Sequence, residues 1–324
     1  MDCVLPGHAV KSFSSSIGCL SKIGKDVYIE FDPIEGLTIR SLNDAKSAYA
    51  CFRFESSFFE RCTAPPTSRK RTHSQSSDRH FSCRIAVRAL VPVVRSRKDV
   101  VSLRILSEES DAAFFVSFEF HLQNKHNDLF RVVHRIKAAD ADAVSAVAPK
   151  EEASEITTQP KLFLRLLEPL KRTVEAALLI RKDSDLITAC SFHHSESVGR
   201  GSSRNANTSV INNNAILQAT HSSLLKTETS IAYNEFEEFF FRDNRPPAPE
   251  NQKQPEDVND GVVLVFPIKE AKAMLQYCAH AHPDPHSLVS VSFHWGGRPI
   301  VFESNSEFFS AELVLATLDY DLLS

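Results

Sequence analysis

Apolar side chains recur at every second position between residues 46 and 60, where Ala48, Ala50, Phe52 and Phe54 fall on one side and Tyr49, Cys51, Arg53 and Glu55 on the other. That period predicts a strand with one buried face, and such a strand needs a sheet around it. Upstream, Val10, Phe13, Ile17 and Leu20 recur at helical spacing while Lys11, Ser15, Gly18 and Lys22 form the opposite stripe, so the chain is expected to open on an amphipathic helix. Val27, Ile29 and Phe31 then alternate with polar neighbours, Pro33-Ile-Glu-Gly36 supplies a turn, and Leu37 and Ile39 resume the alternation, which reads as a hairpin. Further strands are predicted over 81–87, 100–106, 113–122 and 129–136, with a short helix from Arg88 to Arg95 that Pro92 limits to a few turns.

The same order returns after residue 160. A helix is predicted over 161–172, with Phe163, Leu166 and Leu170 on one stripe and Lys161, Arg165, Glu168 and Arg172 on the other, and Pro169 bending or ending it. Strands follow at 174–181, 186–193, 224–233, 237–241 and 262–266, then a helix carrying Ile268, Ala271, Leu275 and Cys278 against Lys269, Lys272 and Gln276, then strands at 288–295, 299–303 and 309–318. The two halves share one plan, so the fold class expected is α+β, two similar domains each with two helices packed on antiparallel sheets. Boundaries are drawn at 1–136 for the first domain, 137–160 for a polar linker and 161–324 for the second. Three stretches, 63–80 without an apolar anchor, the polar 197–223 and the Pro-rich 243–260, are read as flexible insertions.

Charge changes the picture more than composition does. The 324 residues carry a net charge of −4, yet the four helical segments 8–23, 88–98, 161–172 and 269–280 hold 12 of the 37 Lys and Arg and only 2 of the 41 Asp and Glu. Short surface helices often carry Lys and Arg singly; four out of four points to one surface that meets phosphates without reading sequence. Seven cysteines without a C-x-x-C pair read as reduced, mostly buried thiols of an intracellular protein. No apolar run approaches the ~18 residues of a membrane span, and no membrane partner is expected.

Within the first insertion, Pro65-Pro-Thr-Ser-Arg-Lys-Arg71 has the form of a short nuclear import signal, with Arg69, Lys70 and Arg71 as its basic core, and Ser74-Gln75 has the form phosphorylated by damage-activated kinases. The alternative for both is a solvated polar loop. His280, His282 and His286 have the residue type of metal ligands but no second cluster accompanies them, so a polar turn is favoured. Without a Walker-type loop, a nucleophile motif or paired carboxylates, no catalytic residue, metal or cofactor is assigned.

Ser47-Ala-Tyr-Ala-Cys-Phe-Arg-Phe54 with Phe58-Phe59, Val94-Arg-Ser96, Gly297-Arg-Pro-Ile-Val-Phe302 and the stretch from Phe309 through Val314-Leu-Ala-Thr-Leu318, set in this doubled plan, resemble the sliding clamps of the proliferating cell nuclear antigen type, and among them the Rad-nine branch of the checkpoint clamp. The resemblance implies a non-catalytic subunit of a heterotrimeric ring with two other clamp-like subunits, placed around double-stranded DNA at damage sites by an ATP-driven loader. It implies a nuclear platform for repair and checkpoint proteins, with basic helices lining the hole. Lys11, Lys22, Arg88, Arg95, Lys269 and Lys272 match basic positions of those helices; Arg165 and Arg172 follow from the stripe argument alone. Strands 113–121 and 224–233 are nominated as the edges that join neighbours. The family also implies a phosphorylated C-terminal tail, which these residues do not carry. A homotrimeric replication clamp is the alternative, and a metal-dependent nuclease using His280 and His282 a distant one.

Overall fold

The structure is a computed structural model that describes residues 1–63, 81–95, 99–110, 113–142, 144–171, 173–181, 184–192, 227–242 and 261–319. The expected insertions, apart from Thr63, lie outside these residues, and with them Arg69, Lys70, Arg71 and Ser74. The chain packs as two compact units, one of 1–147, 273–289 and 302–314, the other of 148–272, 290–301 and 315–324.

The first unit begins with β1 (Asp2–Pro6), a five-residue strand too short to stand out in the sequence, whose Cys3 and Leu5 are fully buried. Helix α1 (Gly7–Ile23) follows directly, and its stripe of Val10, Phe13, Ile17 and Leu20 is buried as its spacing predicts. Burial extends past that stripe to Ser12, Ser14 and Ser16, small side chains that allow close approach. Strands β2 (Asp26–Asp32), β3 (Gly36–Leu42) and β4 (Ala48–Phe54) form an antiparallel meander with Tyr28 opposite Arg40 and Ile39 opposite Phe52. Gly36 opens β3 at φ 103°, where a Cβ would stand 2.2 Å from the Phe54 carbonyl oxygen, so the turn requires glycine.

β4 stops at Phe54 and a single 3-10 turn (Ser56–Phe58) follows, so the strand expected over 46–60 is shorter than its alternation suggested. Both its faces are buried, Tyr49 and Cys51 as well as Phe52 and Phe54, and only Arg53 is exposed. The second face is closed in part by Arg40, which pairs with Glu30 at 3.0 Å and donates to the Val144 carbonyl at 2.8 Å.

β5 (Arg61–Thr63), β6 (Phe81–Ala86), helix α2 (Val87–Val94), β7 (Val100–Ser110), β8 (Ala113–Gln123) and β9 (Leu129–Asp140) complete the N-terminal run. Neighbouring strands run in the order β4-β3-β2-β6-β9-β8-β7-β1-β5, and β18 (Phe309–Leu315), with β17 (Ile300–Ser306) beyond it, joins outside β4. An aromatic cluster fills the unit: the Phe309 ring lies 5.0 Å from Phe54 and 5.8 Å from Tyr277, and Phe52 lies 4.8 Å from Tyr277. Tyr277 also shares a 2.8 Å hydrogen bond with Ser12, tying this core to α1.

The second unit contains β10 (Ser154–Thr158), inside the stretch read as linker, helix α3 (Pro160–Leu167), and a four-stranded antiparallel sheet in the order β13-β12-β11-β15, made of β11 (Glu175–Arg181), β12 (Leu186–Phe192), β13 (Glu228–Ala232) and β15 (Gly261–Pro267). A further group sets β14 (Glu238–Phe240), β10 and β16 (Val289–Phe293) side by side. Ala177, Cys190, Phe192 and Val265 form a buried cluster on the four-stranded sheet. Helix α4 (Ile268–His280) begins here and contributes its later turns to the first unit. No described helix is long and apolar enough to cross a membrane.

Candidate nucleic-acid interface

Neither α1 nor α2 contains an acidic residue. Lys11 and Lys22, on one stripe of α1, are exposed, as are Arg88 on α2 and Arg95 immediately after it. None of these four takes part in an ion pair among the described residues. Most strand-borne cations behave differently: Arg40 pairs with Glu30, Arg53 with Glu312, Arg61 and Arg104 with Asp2, and Arg131 and Arg135 with Glu119 and Glu108. Most charge on the sheets is thus neutralised locally, Lys137 and Arg181 making no ion pair among the described residues, whereas Lys11, Lys22, Arg88 and Arg95 are left to solvent.

The helices hold these cations in place through their buried sides. Leu90 and Val94 of α2 are buried and α2 packs on α1. Along α1, Lys11, Ser15, Gly18 and Lys22 form one wall of an open groove of about 370 Å³, and Ala273, Gln276 and His280 from the later turns of α4 form the other. Gly18 has nothing within 4 Å of where a Cβ would stand, so it leaves the groove floor open rather than permitting a close contact. The groove carries two ammonium groups and no carboxylate, a combination suited to an anion.

In the second unit, Arg165 on α3 and Lys269 in the first turn of α4 are exposed and make no ion pair among the described residues. Helix α3 ends at Leu167, ahead of Pro169, so the helix expected over 161–172 is shorter than its stripe suggested, and Arg172 falls outside the described residues. Lys272 is half-buried, and its Nζ donates to the Leu170 carbonyl at 3.1 Å. Burial lowers its pKa, with Glu168 opposing that shift and Lys171 adding to it. Lys272 therefore serves the backbone at the end of the α3 segment, a use that periodicity alone does not reveal.

The three histidines are not brought together. His282 is buried with its ring edge-on to Phe309 at 5.0 Å, and its Nδ1 accepts from the Asp284 amide at 3.1 Å, while His280 and His286 are exposed. Burial lowers the pKa of His282, against partial compensation from the Asp284 and Ser304 backbone. No group of three metal-ligating side chains occurs among the described residues.

The sheet edges also differ from expectation in one place. β8 pairs along its length with β7 on one side and β9 on the other, so residues 113–121 are interior to the sheet. β9 pairs with β8 throughout, but its ladder to β6 is confined to Ala139 and Asp140, and Leu129, Phe130 and Val133 are exposed. The sequence signal for this was available: apolar residues stand on both faces of 129–133 with only Arg131 between them. In the second unit β13 pairs with β12 alone, at the end of the four-stranded sheet, where the nominated stretch 224–233 overlaps it; residues 224–226 lie outside the described set.

Comparison with known proteins places this geometry. The sequence profile of the Rad9 family matches residues 13–318. The cell cycle checkpoint control protein Rad9 of Drosophila melanogaster is 30% identical over 100 residues, a stretch that is 31% of this chain and 19% of that protein's length. Among solved structures, PCNA from Thermococcus kodakaraensis aligns with a TM-score of 0.62 at 9% identity, covering 98% of this chain and 99% of that one. The PCNA2–PCNA3 complex from Sulfolobus tokodaii gives 0.61 at 9% identity, with the same coverage. A complex of the C-terminal region of FEN-1 with A. fulgidus PCNA gives 0.57 at 11% identity, covering 98% and 97%. At such identities the structural likeness shows the fold alone, that of the sliding clamps, and the profile match over most of the sequence supplies the rest: the chain belongs to the Rad9 family.

Proposed function

We propose that the chain is a non-catalytic subunit of a heterotrimeric checkpoint sliding clamp, set around double-stranded DNA at damage sites by an ATP-driven loader and serving in the nucleus as a platform for repair and checkpoint proteins. The observation that carries this reading is the contrast between the mostly paired cations of the strands and the exposed cations of the helices that make no ion pair among the described residues. Lys11, Lys22, Arg88 and Arg95, joined by Arg165 and Lys269, present positive charge without base-reading side chains around it, which fits phosphate contact independent of sequence. The domain division at 1–136 and 161–324, with 137–160 connecting them, belongs to the same reading.

Ring closure is assigned to two strand edges, β9 and β13, each of which can accept a neighbour's strand by backbone pairing. Leu129 and Phe130 then supply the apolar anchors on β9. Replacing both by glutamate is expected to weaken assembly about 30-fold, as for loss of a hot spot of about 2 kcal/mol. Sedimentation of the mixed subunits reads this directly, and a double variant that assembles like the parent shows that β9 is not the joining edge.

Size-exclusion light scattering tests the proposal as a whole. The chain alone is expected to be monomeric and to enter a 1:1:1 ring only when two other clamp-like subunits are added; a homotrimer formed by the chain alone overturns it in favour of a replication clamp. Incubation with duplex DNA and divalent metal is expected to leave the DNA intact. Cleavage that disappears on replacing His280 and His282 would instead establish a nuclease.

A further inference from the structure

Two of the seven cysteines face each other. Cys3 of β1 and Cys62 of β5 are directly opposed in the antiparallel register, flanked by the pairs of Asp2 with Thr63 and Val4 with Arg61, and their Sγ atoms are 3.0 Å apart. Directly opposed residues of an antiparallel pair have Cα atoms about 4.5 or 5.5 Å apart, inside the 4.4–6.8 Å span of disulfides, so a bond about 2.05 Å long can form without moving either strand far. Accessibility is divided between the two: Cys3 is fully buried and Cys62 is half-buried, on a three-residue strand at the end of the sheet order.

We propose that Cys3 and Cys62 form a peroxide-responsive thiol pair that closes to a disulfide and fastens β5 to β1. Cys62 is the attacking group. Its thiolate takes the terminal oxygen of a hydroperoxide, ROOH, giving the sulfenic acid Cys62–SOH and releasing ROH once a proton is taken up. The Cys3 thiol then attacks the Cys62 sulfur, the S–O bond breaks, and water leaves with the Cys3 proton. In sum two thiols and one hydroperoxide yield one disulfide, ROH and H₂O; both sulfurs are oxidised and both peroxide oxygens are reduced.

The surroundings support that division of roles. The Cys3 thiol donating toward Cys62 lowers the Cys62 pKa, and partial burial opposes this. Cys3 is shifted up, first by the same hydrogen bond and then by burial. The other five cysteines are all buried, and burial pushes the Cys83 and Cys278 thiols up to about 12. A solvent-reaching thiol with a partner behind it is the arrangement of redox-sensing pairs, which in reducing compartments form transiently.

The test is differential alkylation and peptide mapping of the whole chain after brief treatment with hydrogen peroxide. Expected are one cross-linked peptide joining residues 3 and 62, two hydrogens lighter than the sum of its parts and restored by dithiothreitol, and a Cys62 thiol consumed about tenfold faster than Cys51 or Cys278. In C3S, Cys62 is expected to stop at the sulfenic acid and to be trapped by dimedone; in C62S, Cys3 is expected to stay reduced. Peroxide that leaves Cys3 reduced in the parent chain, or a disulfide formed first through any other cysteine, overturns the proposal. The parent chain alone decides this, so a variant that folds poorly does not protect it.

Discussion

Replacing Lys11, Lys22, Arg88 and Arg95 together by glutamate is expected to flatten the salt dependence of DNA binding by the assembled ring. Each phosphate contact contributes about 0.9 to the slope of log K against log salt, so four lost contacts lower it by about 3.6. Between 50 and 200 mM salt the parent ring then loses about a hundredfold more affinity than the variant does. The four side chains are exposed and unpaired among the described residues, so their reversal breaks no ion pair and the variant should fold as the parent does. Lys25→Gln with Arg61→Gln is the control, because those cations already face Asp44 and Asp2 and their removal should leave the slope nearly unchanged. Lys272→Ala separates the two uses of a helical lysine: its ammonium holds the Leu170 carbonyl, so stability should fall while the slope barely moves. A quadruple variant with the parent slope would remove these helices from the DNA-facing surface.

What the sequence disclosed, and what it withheld, follows from the range over which each interaction acts. The α1 stripe was legible because a helix writes its buried face at a spacing of three and four residues, and Val10, Phe13, Ile17 and Leu20 obey it. The lysine stripe was legible for the same reason. Strand β8 was equally clear as a strand, from Phe114 to Leu122, but its place in the sheet was not: order depends on which distant segments pair, and alternation is the same for an interior strand as for an edge. The edge announced itself instead in β9, where exposed apolar residues break the alternation. Likewise β4 read as one-sided because Tyr49 and Cys51 are amphipathic residue types, yet residues far along the chain cover that face. The end of α3 had a local cause that was in view, Pro169, whereas the carbonyl that holds the Lys272 ammonium, about a hundred residues away, was not.

The adjacent residues Phe308 and Phe309 should differ sharply in what they contribute. Phe309 is 1% exposed, and its ring meets Phe52 at 6.1 Å, Phe54 at 5.0 Å, Tyr277 at 5.8 Å and His282 at 5.0 Å; Phe308 is 42% exposed. Phe309→Ala removes a ring from the centre of a close-packed cluster, and such truncations cost about 3–5 kcal/mol. Phe308→Ala should cost about 0.5 kcal/mol or less, because the group of Phe308 that matters is its carbonyl, which accepts from the Glu55 amide at 3.0 Å and survives the substitution. Urea unfolding followed by tyrosine fluorescence measures both. The loss at Phe309 should also reach α1, since Tyr277 holds Ser12 from within the same cluster. Faster amide exchange along Gly7–Ile23 in Phe309→Ala, with no change in Phe308→Ala, is therefore expected, and equal exchange in the two variants would show that the basic helix does not depend on this core for its position.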